Sequence, residues 1–228
     1  MRGATRRLGG LARNAGVLVL VGTAVCAAAA AATPETALYR LAVSGTARAA
    51  WDYTGPPSTT PDCTSSQSAR GVRVASFRTV RPTLVRLVEG RLKATAIRNL
   101  SGKVSVLGEN TVNQTCMGVD THSPQPCALS AYTFRGAGST VFSPGPRRLS
   151  FRSIGTVVQH SECPLEPPGV LQLGPLPTFR LSRSVLEPHI ARITATASAM
   201  RRKTYGPPQD GTLVQRSSWK LTLTRVRP

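Results

Sequence analysis

The chain has 228 residues, with 29 Lys and Arg against 10 Asp and Glu, a formal charge of +19 at pH 7. At 40% hydrophobic and 17% charged residues, it is too apolar for an intrinsically disordered chain and too charged for a polytopic membrane protein. Its 20 glycines and 18 prolines follow no fixed period, which excludes collagen, and no repeat of roughly 20–50 residues points to a solenoid or propeller.

Residues 1–32 read as a secretory signal peptide. Arg2, Arg6, Arg7 and Arg13 give a basic start without an acid, and residues 15–32 form the uncharged run AGVLVLVGTAVCAAAAAA. Ala30 and Ala32 supply the small residues of a cleavage site after Ala32. An uncleaved membrane anchor is the competing reading, since the 18-residue run approaches the ~20 residues that span a bilayer. Membrane contact enters only with that anchor. Eight of its 18 residues are weakly apolar Ala, which favours cleavage. Val25 before Cys26 is not the small residue that lipid modification of a cysteine requires. Arg6-Arg7 lacks the flanking consensus of twin-arginine export. Residues 33–228 then form a single domain with 25 basic and 10 acidic residues, a charge of +15. A chain of that length buries roughly 70% of its unfolded surface and needs no metal to hold a core.

The first element of this domain is the clearest. Over residues 39–53 Tyr39, Leu41, Val43, Gly45, Ala47, Ala49, Trp51 and Tyr53 alternate with mostly polar neighbours. Period-2 alternation predicts an amphipathic strand, or two strands bent at Gly45, with one face wet as in antiparallel sheets. Further β-rich runs cover residues 71–79, 83–97, 103–111, 129–135, 148–159, 178–182 and 189–200. The Ala content of 189–200 permits a helix, but Ile193, Ala195 and Ala197 alternate with Thr194, Thr196 and Ser198, which predicts a strand. In the last run Trp219, Leu221 and Leu223 alternate with Lys220, Thr222 and Thr224. Turn signals such as Gly55-Pro56-Pro57, Pro144-Gly145-Pro146 and Gly206-Pro207-Pro208 separate the runs. The pattern predicts an all-β fold, an antiparallel β-sandwich or flattened barrel with long loops over residues 54–70, 112–128 and 160–177.

Those loops carry Cys63, Cys116, Cys127 and Cys163, an even set that in an exported chain reads as two disulfides tethering them. The segment between Cys116 and Cys127 is rich in turn formers (Gly118, Asp120, Ser123, Pro124 and Pro126), so its ends are expected to meet. Cys116 is therefore paired with Cys127, and Cys63 with Cys163. A zinc site is the rival reading, from His160 with Cys163 and from the triplet Cys116, His122 and Cys127. It lacks the close cysteine pairs zinc prefers.

Trp51, Cys63 and the stretch from Gly71 through Val72, Arg73, Val74, Ala75, Ser76 and Phe77 to Arg81-Pro82 resemble a group of uncharacterised exported proteins of high-GC soil bacteria. The resemblance covers about the first 50 residues after the signal segment. It implies secretion and a β fold, and transfers no functional residue.

Chemistry is harder to place. There is no Gly-x-Ser-x-Gly elbow, phosphate loop, dinucleotide fingerprint or calcium-type cluster of acids. Asn99-Leu100-Ser101 and Asn113-Gln114-Thr115 match the N-glycosylation pattern, which has no meaning in a chain of bacterial composition. The three histidines are His122, His160 and His189. The alternative to a non-catalytic protein is a secreted hydrolase with a loop-borne site near His122 and His160. The favoured reading assigns no catalytic residue, metal ligand or cofactor.

Charge is the most unusual feature. Arg outnumbers Lys 25 to 4 and clusters at Arg147-Arg148 and Arg201-Arg202-Lys203. A looser series runs through Arg78, Arg81, Arg86, Arg91 and Arg98. An Arg-rich wet face attracts polyanions such as anionic cell-wall polymers or acidic polysaccharide. With 5 Phe, 2 Trp and 4 Tyr, the chain is too poor in aromatics for sequence-specific nucleic-acid readout by stacking. The sequence thus points to an extracellular or cell-envelope binding or adhesion module, with Arg147, Arg148, Arg201, Arg202 and Lys203 as its candidate polyanion contacts.

Overall fold

The computed structural model describes residues 36–93, 95–143, 147–157, 166–182 and 189–226. The expected signal segment, His160, Glu162 and Cys163 lie outside them. The strands are β1 (Thr36–Thr54), β2 (Ser58–Thr59), β3 (Cys63–Thr79), β4 (Thr83–Val88), β5 (Arg91–Leu92), β6 (Thr95–Cys116), β7 (Val119–Ser143), β8 (Arg148–Val157), β9 (Thr178–Arg180), β10 (Arg192–Tyr205) and β11 (Asp210–Arg225). The all-β, antiparallel expectation holds. The sheet order is β10-β11-β1-β3-β6-β7-β8-β9, with β4 and β5 beside the start of β1 and β2 beside β3. That order is open, so the sheet does not close into a barrel.

β1 organises the molecule. Its alternation buries Tyr39, Leu41, Val43, Ala47, Ala49, Trp51 and Tyr53. It runs straight through Gly45 as one strand, antiparallel to β11 from Tyr39 to Thr54. On its other edge it changes partner: β4 covers Thr36 to Leu41 and β3 covers Ser44 to Thr54. Trp51 lies across Gly71 in β3, and a Cβ there would sit 2.7 Å from the indole Cε2, so the glycine admits the ring.

The sheet doubles over on its buried face. Phe151 in β8 and Trp219 in β11 are separated by four strands in the sheet order, yet their ring centroids are 4.9 Å apart. Phe77 approaches Trp219 at 4.3 Å, and Phe151 also meets Phe179. These rings, with Phe134, Leu149, Leu221 and Leu223, form the core between the two layers.

Strands reach further than the alternation indicates. Residues 63–70, 112–116 and 119–128, expected within loops, are paired backbone in β3, β6 and β7. The expected strand 83–97 is broken by a turn at Glu89-Gly90, and the β6–β7 hairpin turns at Met117-Gly118. Both turns carry positive φ at both positions (49° and 71°, 50° and 79°), the two-residue geometry that matches strand twist.

The hairpin overturns the expected disulfide pairing. Cys63 is bonded to Cys116, its register partner across β3 and β6. The tight turn at Met117-Gly118 sends β7 straight back along β6, so Cys127 stands opposite Gly108, not beside Cys116. At ordinary strand rise that is roughly 26 Å from the turn. Neither Cys116–Cys127 nor Cys63–Cys163 forms. Non-reducing peptide mapping of the folded protein should recover the Cys63–Cys116 link, and Cys63→Ala should cost about 2–4 kcal/mol of unfolding free energy. Recovery of a Cys116–Cys127 peptide would contradict this hairpin register.

Part of the third expected loop is a strap on the buried face of β10, β11, β1 and β3. Gln215 is wholly buried; its Oε1 accepts from Leu171 N at 2.6 Å and its Nε2 donates to Gly169 O at 3.0 Å. Ser217 Oγ donates to Pro175 O, and Tyr205 Oη donates to Pro168 O at 2.7 Å. Arg73, buried on the core side of β3, pairs with Glu166 at the start of the strap. Burial raises the Glu166 carboxyl above its ordinary pKa, and Arg73 offsets part of that shift.

Candidate binding face

The other face of the β10-β11-β1-β3-β6 layer is open. The register aligns its outward residues in rows across the strands. One row runs Thr196, Lys220, Ser44, Arg78, Ser101 and on to Arg135 in β7. The next runs Ser198, Ser218, Thr46, Ser76, Lys103 and Thr133. A third runs Met200, Arg216, Arg48, Val74 and Ser105. None of the three contains an acid. The acids of this face, Asp52, Glu109 and Asp210, stand further along the same strands. There Asp52 Oδ2 accepts from Arg70 at 2.8 Å, an exposed pair worth about 0–1 kcal/mol.

In the first row Lys220, Arg78 and Arg135 are each separated by one intervening strand, a spacing of roughly 10 Å, whereas in the third Arg216 and Arg48 oppose each other on adjacent strands. A groove of about 580 Å³ lies over Ser44, Thr46, Ser76, Arg78, Ser101 and Lys103. Hydroxyls there can donate or accept, while the cations only donate. Beyond it a shallow depression of about 850 Å³ is floored by Ala50, Val72, Val74, Leu107 and Val214. Leu107 is 64% exposed and Met200 63%, so the basic rows border an apolar patch.

The contiguous basic run at Arg201, Arg202 and Lys203 is divided between the two faces of β10. Successive strand residues point to opposite faces. Arg202 stands opposite Val214 on the open face, whereas Lys203 donates from Nζ to Pro168 O at 3.1 Å and lies 4.3 Å from the Tyr205 ring. Burial, then Tyr53, raises the Tyr205 hydroxyl above its ordinary pKa while Arg201 offsets it, which keeps the group a neutral donor to the strap. Arg147 has φ 49° and its carbonyl accepts from Leu181 N; Arg148 faces Arg180 in β9. The two predicted clusters therefore sit on different strands. The cations that the fold aligns, Arg48, Arg78, Lys103, Arg135, Arg216 and Lys220, are isolated in the sequence and share only the wet parity of their strands.

The histidine reading gains no constellation. His122 Nδ1 lies 2.7 Å from Asn113 Oδ1 on the exposed β6–β7 arm, and Asp120 accepts from Thr115 Oγ1 at 2.6 Å rather than bonding His122. Among the described residues no three His, Cys, Asp or Glu side chains are grouped to hold a metal.

Comparison with protein-family models, curated proteins and solved structures gave no match. The face is therefore read from its own chemistry.

Proposed function

We propose that the protein is an exported, non-catalytic binding module that holds a linear polyanion, such as an anionic cell-wall polymer or acidic polysaccharide, across the open face of its sheet. The observation that carries this reading is the set of acid-free rows: Lys220, Arg78 and Arg135 alternate with Ser44 and Ser101 in the first, Lys103 stands among hydroxyls in the second, and Arg48 and Arg216 stand side by side in the third. A chain following the first row meets a cation at every second strand. Hydroxyls between them replace the water lost from its own polar groups. Export is supported by the N-terminal pattern and by the Cys63–Cys116 bond, a bond type that persists in oxidising compartments.

Binding is driven by counterion release, so heparin affinity should fall linearly on a log–log plot against salt. The triple variant Arg78→Ala, Lys103→Ala, Arg135→Ala should lower that slope by about 2 and weaken binding more than tenfold at ~0.1 M salt. A control that loses the same charge from the other layer, Arg148→Ala, Arg152→Ala, Arg180→Ala, should retain most of the affinity. Equal losses in the two triples would reduce the effect to net charge and remove the assignment to this face.

A further inference from the structure

Behind one end of the basic rows the β6–β7 pairing is irregular. Ile97 opposes Gly138 and Leu100 opposes Gly136, so β6 carries an extra residue and bulges. Asn99 takes the left-handed conformation there, φ 62°, and its carbonyl accepts from Val80 N at 2.9 Å, fastening the β3–β4 turn to the bulge. The result is a cleft of about 850 Å³ between that turn, the bulge, β7 and β8. This falls in the range of small-molecule sites. Arg81, Arg135, Ser101 and Asn99 supply its polar groups, and among the described residues no acid lines it. Val80, Ala137 and Gly155 give it an apolar side. A Cβ built on Gly155 meets nothing within 4 Å, so the missing side chain leaves the space open.

We propose that this cleft is a second binding site, for a small anion bearing a short apolar substituent, the chemistry of an N-acylated sugar phosphate. Two guanidinium groups present forked donors that match phosphate oxygens. A bare anion leaves the Val80–Ala137 side wet, and a neutral sugar leaves both guanidiniums without a partner, so the site discriminates by requiring both parts. The site goes beyond the polyanion face and shares with it only Ser101 and Arg135.

The test is an NMR titration of the folded full protein with N-acetylglucosamine 1-phosphate, with inorganic phosphate and N-acetylglucosamine as partial probes. The sugar phosphate should shift the amides of Asn99, Gly136, Ala137 and Gly155 and bind at least tenfold more tightly than either partial probe. Arg81→Gln should weaken it about tenfold or more. Gly155→Leu, which fills the cleft, should abolish the shifts. Both variants should keep heparin binding within about twofold, which shows that they are folded and separates this site from the open face. Absence of shifts with the wild-type protein, equal binding of inorganic phosphate, or undiminished binding by the Gly155→Leu variant would overturn the proposal. Loss of heparin binding alone would count only against the polyanion face.

Discussion

Replacing Trp219 by Ala should lower the unfolding free energy by about 3–5 kcal/mol. The side chain is 1% exposed and is the contact at which the doubled sheet meets itself, with Phe77 at 4.3 Å from one layer and Phe151 at 4.9 Å from the other. Truncation removes a large apolar surface and both ring contacts, and β-strands on either side cannot close the void without breaking register. The indole Nε1 is buried without a hydrogen-bond partner, so the native residue carries a desolvation cost of about 1–3 kcal/mol. Trp219→Phe should therefore be far milder than the alanine variant, since it keeps a ring and deletes the orphan donor. Urea unfolding followed by far-UV circular dichroism measures both. An alanine variant within about 1 kcal/mol of wild type would show that the two layers are not joined through this ring.

What was legible in the sequence follows from which side chains the sheet buries. β1 from Tyr39 to Tyr53 and the end of β11 from Trp219 to Leu223 announce themselves because every second residue faces the core; in the first half of β11 the core-facing Gln215 and Ser217 are polar and hide the strand. The β3 start and the β6–β7 arm do not. Residues 63–68 are Cys, Thr, Ser, Ser, Gln and Ser, none of them buried, and the arm around Met117 is exposed on its described side chains. Their backbones pair as fully as those of β1, but with no apolar side there is no alternation to read, so they look like loops. The disulfide pairing failed for the same reason. Once 112–116 and 119–128 are strands, separation along the chain no longer measures nearness, and Cys116 finds the residue that opposes it across β6 and β3.

The candidate face shows a different limit. Arg201, Arg202 and Lys203 attract attention because they are adjacent, yet adjacency in a strand divides charges between two faces. Lys203 accordingly holds the strap while Arg202 looks outward. Arg78, Lys220 and Arg135 are 57 or more positions apart in the sequence and become neighbours in one row only through register. Their wet parity was readable; their alignment required knowing that β1 lies between β11 and β3. Arg73 left a visible sign. It shares the parity of Gly71, Ala75 and Phe77, so a charge stands among residues that face the core.

That charge sets the second large effect. Arg73→Met should destabilise the protein by about 3–5 kcal/mol near neutral pH, because it leaves the Glu166 carboxylate buried without its partner. The loss should depend on pH in a defined direction. Burial already holds the Glu166 carboxyl above its ordinary pKa, with Arg73 the opposing influence. A raised folded pKa means that the stability contributed by this group is full below the unfolded pKa and is lost as pH rises through the folded one. Removing Arg73 raises the folded value further and widens that window upward. The penalty should therefore be largest at about pH 8 and shrink toward about pH 4, where Glu166 is protonated in both states. Glu166→Gln alone strands the guanidinium instead, whose Nε already lacks a partner, and its cost should not diminish on acidification over that range. The double variant Arg73→Met, Glu166→Gln carries neither charge into the core and should recover most of the loss, to within about 1 kcal/mol of wild type or above it. Unfolding titrations of the four proteins at both pH values give the coupling energy directly. Additive losses with no pH dependence would mean that the strap is held by Gln215, Ser217 and Tyr205, and that Arg73 and Glu166 do not act as a pair.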